Sequence, residues 1–62
     1  MKQYLYWISL PWATFGVVTN EGGIVIDSAP IAKWTRGKPI TQVITYYRDE
    51  KKAEVLMQEL EK

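Results

Sequence analysis

The sequence contains no cysteine and no histidine. The first absence rules out disulfides and thiolate metal sites. The second removes the commonest metal ligand and the usual general base. A chain of 62 residues without either staple must rely on dense apolar packing or on a partner chain, because so small a core contributes little net stability. Long apolar runs are also missing, and no stretch approaches the roughly 18 residues that a membrane span needs. Met1–Leu10 lacks the n-region and cleavage site of a secretory leader. The expected compartment is therefore the cytoplasm, with no membrane partner and no cofactor. Nor does one sign of charge dominate: the net charge is +1, too small to imply a polyanionic partner by itself.

What is abundant is apolar and aromatic surface. Hydrophobic residues make up 47% of the chain and aromatics 13%, including three Trp and four Tyr. A monomer of this size does not readily hide that much, which points to a homodimer.

In chain order, 2–10 reads as a strand. Tyr4, Tyr6, Ile8 and Leu10 fall on one face and Leu5 and Trp7 on the other. Both faces are apolar, as expected for a central strand or one covered on both sides. Pro11-Trp12 interrupts it, and 13–19 reads as a second strand. Gly16 within that strand suggests a bulge or the close approach of a bulky group, with Trp12 and Trp34 as candidates. Asn20-Glu21-Gly22-Gly23 is a turn between β-branched runs, and 24–28 completes an antiparallel meander.

The period then changes. Pro30 suits the first turn of a helix over 30–36, capped by Ser28 or Ala29, and Gly37 suits its left-handed end. Ile31, Trp34 and Thr35 fall at i, i+3 and i+4 on one face of this helix, and Trp34 beside Ile31 is expected against the core. Pro39 opens a second helix over 39–49, whose stripe of Ile40, Val43, Ile44 and Tyr47 should pack on the sheet. For the remainder, the Glu, Gln and Lys content favours a helix over 52–61. The rival is a short fourth strand over 53–60, which Val55-Leu56-Met57 suits. The expected class is α+β: one small domain with a three-stranded antiparallel meander, a short helix and a longer C-terminal helical segment.

Ala13-Thr14-Phe15-Gly16-Val17-Val18, Gly23 through Trp34, and Gly37-Lys38-Pro39 together resemble a group of short proteins found mainly in phage and prophage sequences. The similarity spans roughly residues 4–48. It brings no activity, cofactor or catalytic residue with it. It implies a small accessory protein in a bacterial or archaeal cytoplasm, a host protein among its candidate partners, and a short strand at the end of some members.

Catalytic chemistry finds little support. Ser9 and Ser28 have no histidine to activate them, and the acids do not fall at a recognisable metal-binding spacing. Asp27, the one acid in an apolar strand, suits an exposed face or a helix cap. Gly37-Lys38 fails as a phosphate loop, since Ala32 and Pro39 occupy the positions of the required glycine and hydroxyl residue. Gly37–Thr41 could still offer a helix N-terminus to an anion, though Pro39 removes one donor. The expectation is a non-enzyme.

Charge placement is more informative. Between Lys33 and Arg48 lie four cations, Lys33, Arg36, Lys38 and Arg48, and no acid, whereas five of the seven acids fall in the last fourteen residues. Trp34 and Tyr46 lie inside the basic window, and Thr35, Thr41 and Thr45 could donate to phosphate. Cations that track a backbone and rings that stack on bases suit single-stranded nucleic acid. The first expectation is therefore a nucleic-acid-binding protein using Lys33, Trp34, Arg36, Lys38, Tyr46 and Arg48. The alternative is a dimeric protein-interaction module or inhibitor, with aromatic and Met anchors.

Overall fold

The structure, a computed structural model, describes residues 2–61. Strands β1 (Lys2–Leu10), β2 (Ala13–Thr19) and β3 (Val25–Ser28) are followed by a 3-10 helix (Pro30–Thr35), helix α1 (Ile40–Lys51) and strand β4 (Glu54–Glu61). All strand pairs are antiparallel, in the order β3-β2-β1-β4. The fold is α+β, as expected, and the meander is present.

The C-terminal segment departs from the favoured helical reading. Helix α1 stops at Lys52, a non-glycine residue in the left-handed region (φ 58°), and the N–H groups of Lys52 and Ala53 both donate to Tyr47 O. The chain then pairs with β1 from Ser9↔Glu54 to Lys2↔Glu61. Helix propensity is a weak preference, and the vacant edge of β1 outweighs it by offering a full ladder of partners. The rival strand is the one that forms.

Side chains alternate across the sheet as the strand period requires. Tyr6, Ile8 and Leu10, with Phe15, Val17, Thr19, Val25 and Val55, face the helical layer. Against them α1 lays Ile40, Val43 and Tyr47, the predicted stripe, with Ile44 half-buried. Tyr47 meets Phe15 edge to face at 5.3 Å between ring centroids, the geometry favoured by the ring quadrupoles. Full burial of side chains such as Ile8, Val17 and Val43 contributes about 1.5–3 kcal/mol each.

The connector between sheet and helix differs from expectation in detail. Pro30 does open a helix, but the helix is 3-10, kinks at Ala32 and ends before Arg36. Its buried residues are Ala32 and Thr35, while Ile31 and Trp34 stay half-exposed. In a 3-10 turn residues three apart eclipse, so Ile31 with Trp34 and Ala32 with Thr35 form two adjacent faces, and it is the second that meets the core. Thr35 Oγ1 donates to Ala32 O at 2.6 Å and is not free for phosphate. Gly37 takes positive φ (85°), as its place after a helix predicts. The bulky neighbours of Gly16 are Leu5 and Trp7, not Trp12 or Trp34: a Cβ there would lie 3.1 Å from Leu5 Cδ1. The ladder irregularity falls beyond Gly16, between Val18 and Thr19.

Thr19 Oγ1 is fully buried without a hydrogen-bond partner. An unsatisfied buried hydroxyl costs about 1–3 kcal/mol. Thr19→Val should therefore raise the urea midpoint, by the equivalent of about 1 kcal/mol. Lys52→Gly should also stabilise, by up to about 1 kcal/mol, because a side chain at positive φ is strained. In a helix running through residue 52 the same change would destabilise by a similar amount, so the sign measured by urea unfolding tests the helix-to-strand switch.

Candidate functional site

The helices cover one face of the sheet and leave the other without a helical layer. By the strand registers, that second face carries Gln3, Leu5, Trp7 and Ser9 of β1, Thr14, Gly16 and Val18 of β2, Asp27 of β3, and Glu54, Leu56, Gln58 and Leu60 of β4. Trp7 lies directly between Gly16 and Leu56 in the register. Its ring leans over Gly16, where a side chain would crowd it. Trp7 is 41% and Leu56 70% exposed, with Leu5, Val18 and Leu60 half-buried around them. The result is a continuous apolar patch centred on an indole, on rigid strands rather than loops. Such patches on small domains mark contact surfaces.

No lysine or arginine occupies any of those positions. The cation that reaches Asp27 on that face is already engaged. Arg36 donates from Nη2 to Ser28 O at 2.9 Å and from Nε to Ser28 Oγ at 3.2 Å, and its Nη2 lies 3.4 Å from Asp27 Oδ1. It wraps the end of β3 and ties the connector to the sheet.

The other residues of the basic window lie on the helical side. Lys33 is exposed on the 3-10 helix, Lys38 is half-buried in the loop, and Arg48 is exposed in the last turn of α1. Trp34 and Tyr46 meet edge to face at 5.2 Å, and Trp34 Nε1 donates to Tyr47 Oη at 3.2 Å. These rings fasten the connector to α1, although Trp34 is still 42% exposed. Tyr46 lines a shallow groove with Thr41, Gln42 and Thr45, and the same groove holds Asp49 and Glu50. One helical turn thus brings acids beside the ring, although the linear window between Lys33 and Arg48 contains none. The helix N-terminus is also occupied: Ile40 N donates to Gly23 O at 2.7 Å.

Among the described residues, no three acids converge as a metal site would require, and no helix is long and apolar enough to cross a membrane. No family model matches the chain, and no curated protein or solved structure matches it either.

Sequence reasoning identified Trp7 and Leu5 as a second apolar face but missed Leu56 and Leu60, which complete it. The signal was there in the alternation of Glu54, Leu56, Gln58 and Leu60 with Val55, Met57 and Glu59. It was masked by the helix-forming composition of the segment.

If Arg36 is a structural clasp, Arg36→Ala should lower unfolding free energy by about 1 kcal/mol through the lost charge-assisted bonds. Lys33→Ala, on the exposed side of the connector, should leave it within about 0.5 kcal/mol. Urea denaturation of the two variants checks both.

Proposed function

We propose that this protein is a small non-catalytic protein-binding module whose contact surface is the helix-free sheet face around Trp7. The observation that carries this reading is the composition of that face: an exposed indole beside Leu5, Val18 and Leu56, with Leu60 further along β4 and no cation among the positions that the registers assign to that face. A protein interface core has this make-up, aromatic and aliphatic with charge kept to the rim. A surface for single-stranded nucleic acid would need cations beside its stacking ring to track phosphates. Here Trp7 lies on the helix-free face, whereas Lys33 and Arg48 are carried by the helical layer, Lys38 is half-buried in the loop before α1, and Arg36 is bound to Asp27 and Ser28. The resemblance to phage proteins makes a host protein a fitting partner.

Peptides selected from a random display library on the immobilised protein should be apolar. Trp7→Ala should weaken their binding about tenfold or more, as loss of a central aromatic anchor does. Fluorescence anisotropy supplies the measurement. Labelled oligo-dT should not bind at low salt. Oligo-dT binding that falls steeply with salt and is lost in the Lys33→Ala, Lys38→Ala, Arg48→Ala triple variant would overturn the proposal in favour of nucleic acid.

A further inference from the structure

The two edges of the sheet are treated differently. At the β3 edge the loop before α1 supplies a cover: Val25 N donates to Lys38 O, Gly37 N to Val25 O, and Ile40 N to Gly23 O, at 2.7–3.0 Å. At the other edge the strand order ends with β4, eight residues long. The alternation of an antiparallel ladder identifies which of its polar groups point outward. Gly16 O accepts from Ala29 N, so Gly16 turns its backbone groups towards β3. Tyr6 and Ile8 then turn theirs to β2, and Leu5 and Trp7 theirs to β4. Val55, Met57 and Glu59 are left with N–H and C=O on the outer side.

Natural edge strands are usually blunted by a central charge, a proline or a bulge. The middle of β4 has none of these: it reads Val55-Leu56-Met57, with Leu56 70% and Met57 53% exposed. Its acids stand at the flanks.

We propose that β4 pairs antiparallel with β4 of a second copy of this chain, about a two-fold axis near Leu56. The inference rests on the reading of this chain as a protein-interaction module and names one of its partners. Such an axis, perpendicular to the sheet, keeps each face on its own side. Even-numbered residues of β4 therefore oppose even-numbered ones, and odd oppose odd. Glu54 and Glu59 differ in parity and never stand opposite each other, whatever the register. Centred on Leu56, the pairing sets Leu56 against the partner's Leu56, Val55 against the partner's Met57, and Glu54 against the partner's Gln58. The apolar triplet is covered and polar pairs flank it.

Charge along the strand is complementary in the same sense. Exposed Lys51 and Lys52 precede β4, and Glu59, beside Lys2 at 3.5 Å but still exposed, lies near its end. Antiparallel pairing runs each Glu59 past the other copy's lysine corner. Because Trp7 neighbours Leu56 in the sheet, the two helix-free faces merge into one band, with a Trp7 on either side of the axis.

Three measurements test this. Sedimentation equilibrium of the wild type at micromolar concentration should give the mass of two chains. Met57→Pro deletes an outward N–H without touching the β1 ladder, so it should give one chain with an unchanged far-UV circular dichroism spectrum. In this cysteine-free chain, Leu56→Cys should form an intermolecular disulfide under mild oxidation, because the facing Cα atoms would lie about 4.5 Å apart, whereas Lys33→Cys should not. A one-chain mass for the wild type up to millimolar concentration overturns the proposal, as does a two-chain mass that Met57→Pro leaves intact. Should Met57→Pro unfold, the Leu56→Cys cross-link decides, and its absence overturns the proposal. Apolar peptides assayed on the same samples separate the two readings. Binding that depends on Trp7 in a one-chain species fails the dimer alone, and a cross-linked dimer that binds no peptide fails only the wider reading.

Discussion

Strand β1 makes four demands at once: hydrogen-bond partners on both of its edges, and cover for apolar side chains on both of its faces. A buried strand whose N–H and C=O groups lack partners is severely destabilised, so the edge demands are met first. Strand β2 takes one edge through a tight turn, and β4 takes the other after the chain has passed through the whole helical layer. One face is met by α1, whose Ile40, Val43 and Tyr47 close over Ile8, Phe15 and Val17. The second face receives no element of this chain. That unmet demand is the physical origin of the Trp7 surface, and it explains why a protein this small keeps an indole and several aliphatic side chains on an outer face.

The distribution of charge follows from the same arrangement. The basic window is a property of the linear sequence, and folding disperses it. Arg36 turns back to Asp27 and Ser28, Lys38 is drawn in by the backbone bonds that seal the β3 edge, and α1 sets Asp49 and Glu50 one turn from Tyr46. The aromatics of the window are engaged as well. Trp34 braces Tyr46 and Tyr47, and through Tyr47 the brace reaches Phe15 in the core. Within that run Arg36, Trp34 and Tyr46 hold the connector in place, while Lys33 and Arg48 stay exposed.

Much of the fold was legible in the chain because it rests on local patterns. The bounds of β1 and β2, the stripe of α1 and the positive φ at Gly23 and Gly37 follow from period two, period 3.6 and turn chemistry. The identity of the group over Gly16 was not legible, since it depends on which strands neighbour it. The exposure of Trp34 was not legible either, because a spacing of three fits Ile31 with Trp34 and Ala32 with Thr35 alike, and only packing against the sheet selects the pair that is buried. The last segment was the largest divergence. Its composition favours helix, and only the free edge of β1 makes strand the lower-energy state.

The candidate surface divides along the same line. From sequence alone came a cysteine- and histidine-free α+β domain with more apolar surface than a monomer of its size readily hides, and with Leu5 and Trp7 on the strand face opposite Tyr4, Tyr6, Ile8 and Leu10; which of the two faces the helices cover was not legible. Those conclusions need only composition and the two-residue alternation of a strand. Tertiary structure decided that Leu56 and Leu60 join that face, that Lys33 and Arg48 lie with the helical layer while Arg36 is tied to Asp27, and that β3 has a covered edge while β4 does not. Each of these depends on pairing between segments distant in the chain. Such pairing is selected by hydrogen-bond satisfaction across the whole sheet, a constraint that no local window of residues expresses.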